Sequence, residues 1–153
     1  RDLHVRSRRQ RQMCIRDRYG DMAGGYAPLG DLYKMEVYAL AREFNKRIGL
    51  DAVNESTLTK PPSAELAPDQ KDEDSLPPYP ILDEILRLHI EGGLDATEIT
   101  SRGHDGEVVR DVLTRLARNE HKRWQMPPAP RVSMRAFGQG WRQPLAARHD
   151  WRQ

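Results

Sequence analysis

The sequence has a single cysteine, Cys14, which lies in a short arginine-rich leader. From Tyr19 onward there is no thiol. This absence excludes a disulfide framework, a cysteine nucleophile and a zinc-thiolate site from that part of the chain. The lack of disulfides fits a cytoplasmic protein, and we expect that location.

Long apolar runs are also missing. None approaches the roughly 18 residues that a helix needs to cross a bilayer, the mean hydropathy is -0.82, and 31% of the residues are charged. We therefore expect no membrane insertion. A length of 153 residues suits one modest domain with a single core.

The basic charge is concentrated in residues 1–18, which hold seven of the 25 basic residues against two acids. The remaining 18 basic and 21 acidic residues give residues 19–153 a net charge of -3. The leader resembles, in register, the translation of a sequencing-library adaptor, so we expect residues 1–18 to be a non-biological segment without ordered structure. A nucleic-acid-binding arm or a transit peptide would not explain that match in register.

The segment 19–30 is rich in glycine and predicts a loop. Asp31 is a candidate cap for a helix that Gly49 would end. The apolar positions of this helix recur on one face; they are Tyr33, Val37, Leu40, Ala41, Phe44 and Ile48.

A strand and a long loop are predicted next. Residues 56–59 are partly β-branched and precede Lys60-Pro61-Pro62, which favours a short strand before an exposed loop. The loop, residues 61–80, is rich in proline and contains an acidic run. Because loops of this length are uncommon in compact domains unless they act as lids or binding segments, its length favours a functional role.

Three helices are predicted after the loop. In the first, Leu82, Ile85, Leu86 and His89 would form one face, and the pair Gly92-Gly93 would end it. A capping box of Asp95 and Glu98 starts a short second helix that stops at Gly103. Asp105 caps the third, and its buried stripe would be Val108, Val109, Val112, Leu113 and Leu116. The last thirty residues predict an ordered tail that wraps the body.

Three segments could carry chemistry by pattern alone. Lys34 falls in a first helical turn, where free N–H groups favour an anion, although most lysines are simply solvated. Ser63 and Asp72 could hold a nucleotide with hydrated Mg2+, and a solvated acidic loop is the simpler alternative. The cluster 121–123 could equally be a basic helix end that complements the dipole.

Several blocks of the sequence resemble the bacterial glutamine-dependent NAD+ synthetases. Residues 20–34 read GDMAGGYAPLGDLYK, residues 60–66 read KPPSAEL, and residues 68–79 read PDQKDEDSLPPY. Residues 119–123 (NEHKR) and 135–138 (RAFG) resemble the later blocks of that family. The blocks follow the family order and cover essentially residues 19–153, so this part is identified as the C-terminal part of a synthetase domain.

The resemblance implies an α/β fold of the adenine nucleotide alpha hydrolase-like type, with a Rossmann-like parallel sheet. This stretch itself is expected to be mostly helical, with one or two short strands and long loops. The implied reaction uses ATP to adenylate the carboxylate of deamido-NAD+, which releases pyrophosphate. Ammonia derived from glutamine then displaces AMP and gives NAD+.

The resemblance also implies roles for individual residues. Lys34 and Ser63 would contact ATP, and His121 and Lys122 would contact deamido-NAD+. A cation fixed at a helix start would stabilise charge on the α-phosphoryl oxygens, and a lid would keep water from the acyl-adenylate. The predicted lid loop contains Asp69 and Asp72.

The sequence departs from the family pattern at two positions: Ala67 replaces the usual arginine and Met35 the usual threonine. The phosphate-binding Ser-Gly-Gly-x-Asp-Ser loop, its Mg2+ carboxylates and the glutamine amidase domain do not occur in these residues. We therefore expect the main Mg2+ ligands upstream, and the 153-residue chain alone to be inactive. The intact protein is expected to form a homo-oligomer.

Two other classes of protein fit parts of the pattern. A helix-turn-helix nucleic-acid binder could use residues 95–118, but acidic residues occupy the early turns of its second helix, where bases are usually read. A helical interaction module would fold stably without nucleotide. The synthetase interpretation instead predicts exposed apolar surface where further strands would pack.

Overall fold

The computed structural model describes residues 25–59, 76–138 and 140–146. These residues form helices and contain no strand, so the predicted helical character is confirmed for them. The helices are α1 (Lys34–Ile48), α2 (Glu55–Thr59), α3 (Tyr79–Ile90), α4 (Ala96–Ser101), α5 (Gly106–Arg118) and α6 (Glu120–Trp124).

Helix α1 ends where the sequence predicts, at Gly49, whose φ of +63° lies in the left-handed region that favours glycine. The predicted cap at its start is wrong. The helix begins at Lys34, and the N–H of Tyr33 donates to Glu36 Oε2 at 2.9 Å. Asp31 instead accepts hydrogen bonds from residues about a hundred positions later. Asp31 thus makes tertiary hydrogen bonds, and the local bond at the helix start is the one from Tyr33 to Glu36.

Helix α2 occupies the place of the predicted strand, which is therefore wrong. Asn54 Oδ1 accepts from the N–H of Ser56 at 3.0 Å, and the Asn54 carbonyl accepts from the N–H of Thr57 at 2.8 Å. Thr59 Oγ1 donates to the Glu55 carbonyl at 2.9 Å. These local bonds start a helical turn and outweigh the weak β propensity of the segment.

Helix α3 begins at Tyr79, so the predicted loop 61–80 is wrong for its last two residues. A proline in the first turn is tolerated because the N–H that it lacks has no partner within the helix. The predicted buried face is confirmed. Leu82, Ile85 and Leu86 are all 0% exposed.

Helices α4 and α5 start as predicted. Asp95 Oδ1 accepts from Glu98 N at 2.8 Å and Glu98 Oε2 accepts from Asp95 N at 2.9 Å, which confirms the capping box. Helix α4 ends at Ser101, two residues before the predicted Gly103. Asp105 Oδ1 caps α5 through two backbone N–H groups. The predicted stripe on α5 is buried except for the half-buried Val108.

The core is centred on α3, which packs against α1, α4 and α5. It continues to the tail through Phe137, which is 0% exposed. Truncation of a fully buried leucine such as Leu82 to alanine would cost about 2–5 kcal/mol. The core includes Tyr33, directly before the start of α1, and Phe137, whose carbonyl accepts from Arg123 in α6.

The outer face of α1 is only partly covered by the described residues. Leu40, Phe44 and Ile48 are 48%, 49% and 41% exposed, so the six predicted apolar positions divide into a buried and a half-exposed set. Val37 and Ala41, on the inner face, are buried. Whether further strands would pack on this face, as the synthetase interpretation predicts, stays a prediction. None of the helices in the described ranges is long and apolar enough to cross a membrane.

Candidate functional site

Lys34 is the first residue of α1 and is only 7% exposed. Its Nζ lies 4.8 Å from the centroid of the Tyr38 ring and 5.7 Å from that of Tyr79. The alternative of a solvated surface lysine is therefore wrong. An ammonium between two aromatic faces is held by cation–π attraction and has lost part of its hydration, so Lys34 is a fixed positive charge.

The backbone beside Lys34 is bonded to α3. Asp83, which is 6% exposed, accepts from the N–H of Met35 through Oδ2 at 2.8 Å. Arg87 Nη2 lies 2.6 Å from Glu36 Oε1. A carboxylate thus already uses one of the N–H groups that the sequence analysis assigned to an anion. The sequence feature that could identify Asp83 is an acidic residue among the apolar positions of α3.

His121 and Lys122 lie in α6. Lys122 is 9% exposed and His121 is half-buried, with Nδ1 3.1 Å from the Arg118 carbonyl. The cluster 121–123 does form the basic last turn of a helix, as the dipole interpretation predicts, but Lys122 and Arg123 in it are buried. The short helix therefore holds the side chains of His121 and Lys122 partly or wholly out of water.

Arg123 and Glu120 form a buried ion pair that the sequence analysis did not identify. Their side chains are 1% and 3% exposed, and Arg123 Nε and Nη2 both donate to Glu120 Oε2. The guanidinium carbon lies 4.2 Å from the Trp141 ring centroid and 4.8 Å from that of Phe137. Glu120 Oε1 also accepts from Gln143 N at 3.1 Å. The pair therefore joins α6 to the tail.

The tail strap, residues 127–138, packs on the loop before α1. Ala27 N donates to the Pro128 carbonyl at 2.8 Å. A Cβ on Gly30 would lie 2.8 Å from Ala129 Cβ, so this close approach requires glycine. The predicted ordered tail is confirmed for the strap.

Asp31 is the main anchor of the tail strap. It is 2% exposed and accepts from Val132 N at 2.8 Å, Ser133 N at 2.7 Å and Phe137 N at 2.9 Å. The Ser133 hydroxyl lies within hydrogen-bond distance of both carboxylate oxygens. Such bonds to a carboxylate are roughly twice as strong as neutral ones. In the strap Asp31 is bonded to three backbone N–H groups and one hydroxyl, whereas a cap usually offers one or two N–H groups.

The structure places only part of the predicted site. Lys34 is fixed on α1, His121 and Lys122 are fixed on α6, and the strap contacts the segments that carry them. Ser63, the lid residues and the departure at Ala67 lie outside the described residues; the lid residues are Asp69 and Asp72. Within the described ranges, no three His, Cys, Asp or Glu side chains are grouped so that they could hold a metal ion.

Comparison with known proteins gives consistent matches. Residues 13–127 match the family model described as NAD synthase. The glutamine-dependent NAD(+) synthetase of Thermotoga maritima is 49% identical over 130 residues, which are 85% of this chain and 23% of that protein. The enzyme of the same name from Aquifex aeolicus is 49% identical over 127 residues, 83% of this chain and 22% of that protein.

A solved structure also matches, that of the glutamine-dependent NAD+ synthetase from Acinetobacter baumannii in complex with ADP. It has a TM-score of 0.46 and 38% identity, and the match covers 83% of this chain and 22% of that one. The chain spans less than a quarter of the length of these relatives. The helix-turn-helix hypothesis gains no support from the matches. Since the family model covers most of the sequence, the chain belongs to the NAD synthase family.

Proposed function

We propose that this chain forms part of a ligase that makes NAD+ from deamido-NAD+, ATP and glutamine-derived ammonia. The observation that carries the proposal is the family match over residues 13–127 together with relatives at 49% identity. In the reaction, a carboxylate oxygen of deamido-NAD+ attacks the α-phosphorus of ATP and pyrophosphate leaves. Ammonia then attacks the acyl carbon and AMP leaves.

Lys34 is the proposed ATP contact on α1. Its burial and its two aromatic neighbours support this role, because a fixed and partly desolvated cation stabilises developing phosphoryl charge better than a mobile one. Ser63 is proposed as a second ATP contact. The loop that contains Asp69 and Asp72 is proposed to close over the substrates and exclude water.

His121 and Lys122 are the proposed contacts to deamido-NAD+. The nicotinate carboxylate and the phosphates of this substrate are anionic, and a buried lysine provides the matching charge. The half-buried His121 can donate a hydrogen bond from its imidazole. Their place on one short helix supports a joint role.

The rest of the proposed enzyme would contribute the parts that these residues lack. Residues 19–153 would be the C-terminal part of an ATP pyrophosphatase-type domain with a parallel sheet, and residues 1–18 would not belong to it. Mg2+ would be bound mainly upstream, where it would neutralise charge on the ATP phosphates. We propose a cytoplasmic homo-oligomer for the intact protein and no activity for the chain alone.

A chimera tests this function. Residues 19–153 would replace the homologous C-terminal part of the Thermotoga maritima enzyme, to which the chain is 49% identical. The shortened Thermotoga enzyme without any replacement is the control. We expect the chimera to form NAD+ from deamido-NAD+, ATP and glutamine, and the control to form none. A well-folded chimera that binds neither nucleotide nor deamido-NAD+ would contradict the proposal.

A further inference from the structure

Phe137 contacts the segments beside both predicted half-sites. The first half-site is Lys34, for ATP, and the second is the pair His121–Lys122, for deamido-NAD+. The ring of Phe137 is fully buried, its N–H donates to Asp31 Oδ1 at 2.9 Å, and its carbonyl accepts from Arg123 Nη1 at 3.4 Å. Asp31 lies three residues before Lys34, and Arg123 directly follows Lys122. One residue of the tail strap is therefore bonded to both segments.

The two partners of Phe137, Asp31 and Arg123, are themselves held in place by other contacts. Asp31 is buried and also bonded to the strap at Val132 and Ser133. Arg123 is held by Glu120 and covered by aromatic rings. Because close-packed interiors transmit displacement, a change at one end of this connection moves the other.

We propose that Phe137, held between Asp31 and Arg123, is a positioning residue that sets Lys34 relative to the pair His121–Lys122. This inference rests on the proposed function: the connection would set ATP relative to deamido-NAD+. Attack on the α-phosphorus requires reacting atoms about 3–3.5 Å apart, and a misplacement of about 1 Å can reduce the rate about a hundredfold. Alignment of the two half-sites is thus a requirement that a buried bridge can meet.

The test uses the chimera with Asp31→Asn, Arg123→Lys and the double substitution. Asp31→Asn keeps the side-chain size, and Arg123→Lys keeps the charge. We expect each variant to lower kcat about tenfold with both substrates saturating and to leave both KM values nearly unchanged, because the bound substrates would be misaligned. The double variant should be no worse than the worse single variant, because both break one connection.

Ile99→Ala is the matched control, because Ile99 is as buried as Phe137 but lies in α4. It should lower stability and leave kcat unchanged. If Asp31→Asn and Arg123→Lys likewise change stability alone, or if their effects on kcat are additive, the positioning role is overturned.

Hydrogen exchange on the 153-residue chain tests the same connection without catalysis. Asp31→Asn should speed exchange of the α6 amides at His121 and Lys122, and Arg123→Lys should speed exchange at the start of α1. Absence of these cross effects overturns the inference even if the chimera is active. If these cross effects occur but the chimera without substitutions is inactive, the connection is supported and only the proposed function is contradicted.

Discussion

Removal of one partner from the buried ion pair of Arg123 and Glu120 should be strongly destabilising. Arg123→Met should lower the free energy of unfolding by about 3–5 kcal/mol, because it leaves a carboxylate buried without its cation. Arg115→Met is the control, since its pair with Asp111 is 32% and 50% exposed and is worth about 0–1 kcal/mol. Urea unfolding measures both, and equal losses would contradict this account of the pair.

The Asp105 cap should make stability depend on pH. Hydrogen bonds from the N–H groups of Val108 and Glu107 lower the pKa of Asp105 below its usual 3.8. A lowered folded-state pKa gives stability that is fully present above the unfolded-state value and is lost as pH falls through the folded-state value. Asp105→Asn should therefore be less stable than the parent near neutral pH, and the difference should shrink below about pH 3.8.

Urea midpoints of the parent and of Asp105→Asn, measured from pH 7 down to pH 2.5, check this dependence. Asp111→Asn is the control, because Asp111 does not cap a helix but pairs with Arg115 at the surface. A difference between parent and Asp105→Asn that stays constant over this range would show that the carboxylate charge does not contribute to the cap.

Acidic residues show what could be predicted at this scale. Asp95 and Asp105 were assigned correctly because their partners lie two or three residues away. The partners of Asp31 and Asp83 could not be predicted. The partner of Asp31 lies about a hundred positions away in the chain, and that of Asp83 lies 48 positions away. Local spacing specifies a cap, whereas a tertiary hydrogen bond depends on which segments meet.

Among the described helices, α1 carries a row of half-exposed apolar side chains, Leu40, Phe44 and Ile48. We expect the chain to self-associate through this face, and Leu40→Lys together with Phe44→Glu to reduce that association without lowering the free energy of unfolding. Val37→Lys, on the buried face of the same helix, is the control and should unfold the chain. Light scattering and thermal unfolding check these outcomes, and unchanged association in the double variant would contradict the account of this face.

The helices also separate what periodicity can predict from what it cannot. The buried faces of α3 and α5 follow from regular apolar spacing, because both pack inside the core. The outer face of α1 has the same spacing but is exposed, since the sequence pattern does not show whether a partner element is present. The β-branched residues of the α2 segment favour a strand, but the Asn54 hydrogen bonds start a helical turn there.

For the whole molecule, sequence and structure contribute different parts of the candidate site. The resemblance pointed to Lys34, His121 and Lys122, and the structure adds that none of the three is fully solvated. An ordered tail could be predicted from the sequence, but the contacts of the tail strap with Asp31 and Arg123 could not, because they join segments far apart in the chain. Ser63 and the lid loop remain predictions.

We propose above all that Lys34 on α1 and Lys122 on α6 face one nucleotide site. The most direct measurement is steady-state kinetics of the chimera with Lys34→Met and Lys122→Met, beside Lys46→Met at the exposed end of α1. We predict that Lys34→Met lowers kcat/KM for ATP by roughly 10²–10³, that Lys122→Met raises KM for deamido-NAD+, and that Lys46→Met changes neither. Kinetics of Lys34→Met that match those of Lys46→Met would contradict the claim.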